Sequence, residues 1–269
     1  MKEHKISGHS YNETKAFSYL AKVSDEKKGQ SEHILKEVQG LKDKGSFLDV
    51  GAGAGDIFLK VYNEFDNSVA VEPGLRMFEI LEKGVLDKSK VELFNMKWNE
   101  FYDEHKEEYQ GKFDLIVLVH SIYFFDEDKE TLNKMLGLLK PSGKLIVIVG
   151  GKKGNGQKGF IHYFRDRFLG SVSAKKEYEW IESEFPNVRK ILFPSKVRMI
   201  SFEELKELGE KSYDSPTNYF LKFALKRWYD EYLEEEIEEM KNFIKENEEI
   251  DSDGNYVLRG VQKMYVIEK

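Results

Sequence analysis

Between residues 45 and 150 the chain alternates two kinds of pattern. Short runs are apolar at nearly every position: "SFLDVG", "SVAVEPG", "VELFNM", "FDLIVLVH" and "KLIVIVG". The segments between them place apolar residues three and four apart. In "IFLKVYNEF", Ile57, Phe58, Val61 and Tyr62 share one helical face. Pro73 is placed to open a helix over residues 74–84. "DKETLNKMLGLLKPSG" predicts a helix with an Asp cap and a Pro-Ser-Gly stop. Strands that are apolar on both faces and separated by helices make a parallel sheet covered on both sides. Upstream, residues 10–40 read as two helices. Phe17, Leu20 and Val23 share a face of the first, Ile34, Leu35 and Val38 a face of the second, and Gly40 can end it.

Beyond residue 150 this rhythm breaks. "FIHYFRDRFL" and "EYEWIESEF" predict helices, and "SFEELKELGEK" opens with Ser201 three residues before Glu204, a capping box. Residues 217–228 and 229–248 predict two more helices, the last with Leu233, Ile237, Met240 and Ile244 on one face. The tail "VQKMYVIE" alternates like a strand that returns to the sheet edge. The expected layout is an N-terminal helical cap (1–44), an α/β core (45–150), a helical substrate lobe or lid (151–250) and a C-terminal strand (251–269).

Composition narrows the classes. At 269 residues, with 40% hydrophobic residues, the chain can bury one large core or a core with an attached lobe. The net charge of −7 comes from interleaved acids and bases, with no basic stripe, so no nucleic-acid partner is expected. The absence of cysteine excludes disulfides, thiolate zinc sites, cysteine nucleophiles and cysteine-held iron–sulfur clusters. "MKEHKISGHSYNETKAF" has no apolar signal core, and no window approaches 18 apolar residues. A soluble cytoplasmic protein is expected, with no membrane contact, no metal site and a monomer as one plausible state.

The run Asp49-Val50-Gly51-Ala52-Gly53-Ala54-Gly55 carries the chemistry. It follows the first strand, where a doubly wound sheet receives its ligand. Its G-x-G-x-G spacing is one residue tighter than the dinucleotide fingerprint G-x-G-x-x-G, which opposes a nicotinamide-dependent dehydrogenase. Such a turn lets a ligand lie against bare backbone. Asp49 and Asp56 would repel a pyrophosphate but suit an ammonium group. Glu72 ends the second strand, where a carboxylate can accept both hydroxyls of a ribose. An amino-acid ammonium and a ribose without phosphate describe S-adenosylmethionine (SAM).

"LDVGAGAG", "VAVEPG", "FDLIVLVHSIYFF" and "LKPSGKLIVIV" resemble, in order and spacing, the motifs of class I SAM-dependent methyltransferases. The resemblance covers roughly residues 45–150 and implies a Rossmann-like α/β fold with a mostly parallel seven-stranded sheet. It implies that Gly51, Ala52, Gly53 and Gly55 line the methionine and ribose. Asp49 would orient the loop or the ammonium, and Glu72 would bind the ribose. Pro73 would flank the adenosine, Asn95 and Met96 would border the adenine, and Val119 and His120 would lie beside the cofactor. SAM would be the cofactor and S-adenosylhomocysteine the product.

The segments "YNETKAFSYLAKVSDE", "HSIYFFDE", "LIVIVGGKKGNG" and "VLRGVQKMYVIE" resemble, in overall layout, the histamine N-methyltransferase family. That likeness implies Tyr11, Glu26, Tyr123 and Phe124 as contacts to the methyl acceptor, and His120 and Tyr123 as the residues nearest the chemistry. The family's C-terminal Asn is absent; Arg259 or Gly260 stands there, so histamine itself is not implied. His162, Tyr163 and Trp180 are further candidates for an aromatic box. The function expected is methyl transfer from SAM to a small molecule, at an amine or imidazole nitrogen. The alternatives are a protein or RNA methyltransferase, for which the basic loop Lys152 to Lys158 is the one feature, and a non-catalytic SAM-binding module.

Overall fold

The computed structural model describes residues 24–151, 159–169, 178–209, 216–225, 227 and 231–269. They form two compact units. The first expected N-terminal helix, with Tyr11, and the basic loop 152–158 lie outside the described residues.

One unit comprises residues 27–151, 176–193 and 261–269. The apolar runs form β1 (Ser46–Val50), β2 (Asn67–Val71), β3 (Val91–Phe94), β4 (Phe113–Val119) and β5 (Leu139–Gly151). β3, β2, β1, β4 and β5 lie side by side in that order and are all parallel. Strand order reverses at β1, the switch point at which open α/β sheets bind ligands. Every residue of β4 is buried, as a central strand requires.

Alternate strand residues feed two cores. Phe47, Leu115, Val117 and Ile146 pack with Ile34 and Val38 of α1 (Glu26–Gln39) and Phe58 and Val61 of α2 (Phe58–Val61). Leu81 of α3 (Leu75–Gly84) joins the same core. Leu48, Val50, Ile116 and Leu118 pack instead with Trp98, Phe101 and Tyr109 of α4 (Trp98–Tyr109) and with Leu132 and Met135 of α5 (Asp128–Leu138). Helix α4 has no counterpart in the sequence reading. Twelve residues with five acids read as solvated surface, yet three aromatic side chains anchor it.

The other unit contains α6 (Phe160–Leu169), α8 (Phe202–Lys206), α9 (Pro216–Leu225) and α10 (Glu234–Asn247). Phe160, Phe164, Phe220, Leu221, Met240 and Ile244 form its core. The Ser201–Glu204 capping box is formed: Ser201 Oγ accepts from Glu204 N–H at 3.1 Å, and Glu204 Oε2 accepts from Ser201 N–H at 3.0 Å. Tyr163 stacks on Phe243 with ring centroids 4.7 Å apart, so it packs this core. Leu233 is exposed, because it caps α10 instead of continuing its apolar face.

Two expectations need correction. The segment read as a helical lobe contains β6 (Arg189–Ile200), a twelve-residue strand, as well as the short α7 (Trp180–Glu184), and residues 176–193 group with the sheet unit. The C-terminal strand β8 (Tyr256–Glu268) does not end the sheet. It runs antiparallel to β5, pairs on its other side with β6, and also pairs with the short β7 (Glu249–Ile250). Its run of four buried residues, Met264 to Ile267, suits an interior strand. β6 carries Pro194, which an edge strand tolerates because it lacks a donor. Just before α1, Ser24 Oγ and Asp25 N–H donate to Lys196 C=O, and Asp25 Oδ1 accepts Lys196 N–H at 2.6 Å.

Candidate active site

The glycine turn leaves β1 with three left-handed residues, Gly51, Gly53 and Gly55, at φ of 75°, 57° and 88°. They do different work. A Cβ at Gly51 would sit 2.5 Å from Ser121 Cβ, and one at Gly55 would sit 2.7 Å from Leu81. Those two allow close packing. A Cβ at Gly53 would meet nothing within 4 Å among the described residues, so they leave this face of the turn open.

Glu72 pins the turn. Its Oε2 accepts Gly53 N–H at 2.8 Å and its Oε1 accepts Gly74 N–H at 2.7 Å. Asn95 Nδ2 donates to the Glu72 carbonyl at 2.8 Å, which ties the end of β3 to the end of β2. Met96 packs against the core beneath it, and Pro73 is exposed.

Asp49 lies inside β1, 2% exposed, and its Oδ2 has no hydrogen-bond partner among the described residues. Burial pushes its carboxyl up to about 7; the Lys27 ammonium opposes this and the Glu72 charge adds to it. A buried carboxyl with an unsatisfied oxygen, one residue from an open glycine turn, suits a cationic ligand group.

The end of β4 adjoins this turn. Ser121 Oγ donates to Val50 C=O at 2.7 Å, and Ser121 fills the space over Gly51. Val119 is buried, and His120 follows it with a φ of 57°, the one left-handed non-glycine among the described residues. Such a conformation costs on the order of 1 kcal/mol and persists where the surroundings hold it. His120 N–H still reaches Ile148 C=O at 2.9 Å, and its ring is held at both nitrogens. Nε2 lies 2.8 Å from Gln30 Nε2, and Nδ1 lies 3.1 Å from Tyr123 Oη. The same phenol oxygen accepts Gly150 N–H at 2.7 Å.

Tyr123 and Phe124 sit in a single helical turn, Ile122–Phe124, and are 42% and 67% exposed. Tyr178, with a phenol that burial pushes well above the usual range, lies against Tyr123 with centroids 5.7 Å apart. Trp180 packs on the sheet core. Glu26 opens α1 and belongs to the other unit, and the His162 side chain lies outside the described residues.

The structure thus gathers Asp49, Gly51, Ala52, Gly53, Gly55, Glu72, Asn95, Val119, His120 and Tyr123 within one unit. Reading the sequence missed Gln30, Ser121, Gly150, Tyr178 and Gln262. Gln30 had a usable signal: it lies four residues before Ile34 and eight before Val38, a polar side chain on a buried helical stripe.

A mostly parallel sheet, a glycine turn at its switch point and a ribose-type acid at the end of the next strand define a Rossmann-like fold of the class I SAM-dependent methyltransferase type. A family model described as a methyltransferase domain matches residues 20–211. The chain belongs to that family.

Histamine N-methyltransferase of Cavia porcellus is 27% identical over 140 residues, 45% of this chain and 47% of that protein. The ubiquinone/menaquinone biosynthesis C-methyltransferase UbiE of Wigglesworthia glossinidia brevipalpis is 27% identical over 123 residues, 43% of this chain and 47% of that protein. The chain therefore spans about half the length of the curated relatives it matches. Among solved structures, a protein of Anaeromyxobacter dehalogenans provisionally named a type II methyltransferase aligns over 88% of this chain and 95% of its own. Its TM-score is 0.53 at 13% identity, a likeness of fold.

Proposed function

We propose that the protein transfers a methyl group from SAM to a small-molecule acceptor, at an amine or imidazole nitrogen. The observation that carries this reading is the fit of Gly51 against Ser121: the open glycine turn and the His120–Tyr123 turn are side by side at the ends of neighbouring strands. A cofactor on the first turn would meet an acceptor held by the second.

The residues fit SAM. The open face at Gly53, with Gly51, Ala52 and Gly55, would take the methionine and ribose. Glu72 would accept the ribose hydroxyls while it holds the loop, and Asp49 would balance the ammonium charge. Pro73, Asn95 and Met96 lie where the adenosine would run. Bound SAM supplies a methyl group already activated on a sulfonium. What remains for the chain is to orient the acceptor and exclude water. Tyr123 and Phe124, the exposed aromatics at the end of β4, are the residues assigned to the acceptor. Nitrogen is favoured by the histamine N-methyltransferase relative; the UbiE relative, a C-methyltransferase by name, represents the alternative.

The test is methyl transfer from labelled SAM into an extract of the source cells, separated by a size filter. Label in the small fraction supports the reading and yields a compound to identify. Label confined to macromolecules would replace it with a protein or RNA methyltransferase. No label, with SAM bound in calorimetry, would leave a SAM-binding module.

A further inference from the structure

At the ends of their strands the two halves of the sheet part. β1 and β4 are paired as far as Asp49 and Val117. Past that pair, β1 stays with β2, through Val50 against Val71 and Gly51 N–H to Val71 C=O at 2.8 Å. β4 stays with β5, through Val119 against Ile148 and His120 N–H to Ile148 C=O at 2.9 Å. Ser121 crosses the gap. Its buried Oγ donates to Val50 C=O at 2.7 Å, and its Cβ takes the space that a side chain on Gly51 would need. His120 is thus the residue at which the chain passes from the β5 side to the β1 side, and its φ of 57° serves that passage. A left-handed non-glycine is strained and persists only while its surroundings fix it. The Ser121 carbonyl in turn accepts Phe124 N–H at 3.1 Å, so the turn that carries Tyr123 and Phe124 starts from the residue tied to β1.

We propose that Ser121 is a positioning residue that makes the acceptor turn answer to the cofactor. The inference rests on the methyl-transfer reading of this site. Glycines keep more backbone freedom than any other residue, and a cofactor lying against Gly51 and Gly53 removes it. Fixing Gly51 fixes Val50 C=O before it. The Ser121 bond carries that restraint across to β4, and the Ser121 carbonyl passes it to Phe124. Without cofactor, the strain at His120 pulls the turn toward a relaxed form. With cofactor, Tyr123 and Phe124 are held where an acceptor would lie. Such coupling is reciprocal, so an acceptor on the two aromatics tightens the cofactor in return. The acceptor side is then complete only beside a loaded methyl donor.

Amide hydrogen exchange on the full chain tests this, with S-adenosylhomocysteine as the probe. In wild type its binding is expected to slow exchange of the Phe124 and Phe125 amides about fivefold, the worth of one hydrogen bond. Ser121→Ala keeps the packing against Gly51 and loses the bond to Val50. It should still bind S-adenosylhomocysteine, show no slowing at Phe124 and Phe125, and pass about fivefold less label from SAM to the small fraction. A merely structural Ser121 would let exchange rise equally with and without the probe. The ratio would then match wild type, and that result would overturn the proposal. Should Ser121→Ala fail to fold, Ser121→Cys, a weaker donor of similar size, takes its place with the same expectation. Calorimetry with S-adenosylhomocysteine keeps the two readings apart. No binding by wild type ends the methyl-transfer reading and this proposal with it, whereas binding without slowing at Phe124 ends this proposal alone.

Discussion

The backbone N–H of Gly53 donates to Glu72 Oε2 at 2.8 Å, so the acid that would hold the ribose also holds the loop beneath it. Removing Glu72 strips the ligand of a partner and unpins Gly53 and Gly74 together. Glu72→Ala is expected to weaken SAM binding by about 3 kcal/mol, since hydrogen bonds to a charged group are lost. Isothermal calorimetry measures this; unchanged affinity would remove Glu72 from the cofactor site.

The glycines separate by substitution. Gly51→Ala drives a methyl into Ser121 and should destabilise the fold by about 3 kcal/mol, from overpacking added to left-handed strain. Gly53→Ala meets no atom of the described residues and should cost only about 1 kcal/mol of stability, yet it should sharply reduce SAM affinity by covering the open face. Denaturant unfolding and calorimetry on both variants give the comparison. Equal loss of SAM affinity and of stability in Gly53→Ala would count against a ligand on that face.

Asp49 gives the fold a pH dependence of known sign. Burial raises its carboxyl from 3.8 to about 7. The folded chain therefore holds a proton that the unfolded chain releases. The contribution of Asp49 to stability is full below about pH 4 and is lost as pH rises through about 7, a change on the order of 4 kcal/mol. Asp49→Asn should remove that slope, seen as a narrowing of the pH 5 to pH 8 difference in unfolding free energy. A cationic ligand beside Asp49 should also expel its proton. SAM binding near pH 6 is then expected to release protons in wild type and not in Asp49→Asn, read from calorimetry in buffers of different ionisation heat. Identical proton release in the two proteins would place the ammonium elsewhere.

Tyr123→Phe removes the acceptor of Gly150 N–H at a residue proposed to contact the methyl acceptor. It is expected to cost about 1 kcal/mol of stability, leave SAM affinity unchanged and reduce methyl transfer at least about tenfold. Loss of SAM binding in the folded variant would move Tyr123 to the cofactor side.

Much of this was legible because central strands advertise themselves. "FDLIVLVH" and "KLIVIVG" are apolar on both faces, and only a sheet covered twice accommodates that. The glycine turn and Glu72 were legible because backbone conformation and charge were tied to fixed spacing. β6 was not, because "RKILFPSKVRMI" mixes cations and a proline into its alternation, as an edge strand can. α4 hid behind its acids. The role of His120 was invisible for a different reason. Its two ring nitrogens are governed by Gln30, 90 residues earlier, and by Tyr123, three residues later. No local pattern records a partner brought in by α1.

The last strand of the sheet has one more consequence. Along a strand, backbone groups two residues apart face the same rim, so Pro194 and Lys196 point together. Pro194 has no hydrogen to offer there, and both backbone groups of Lys196 are already taken by Ser24 and Asp25. An incoming strand from another molecule would find this stretch closed to ladder formation. The chain carries its own stop against growth into a ribbon, built from a ring and two short polar side chains.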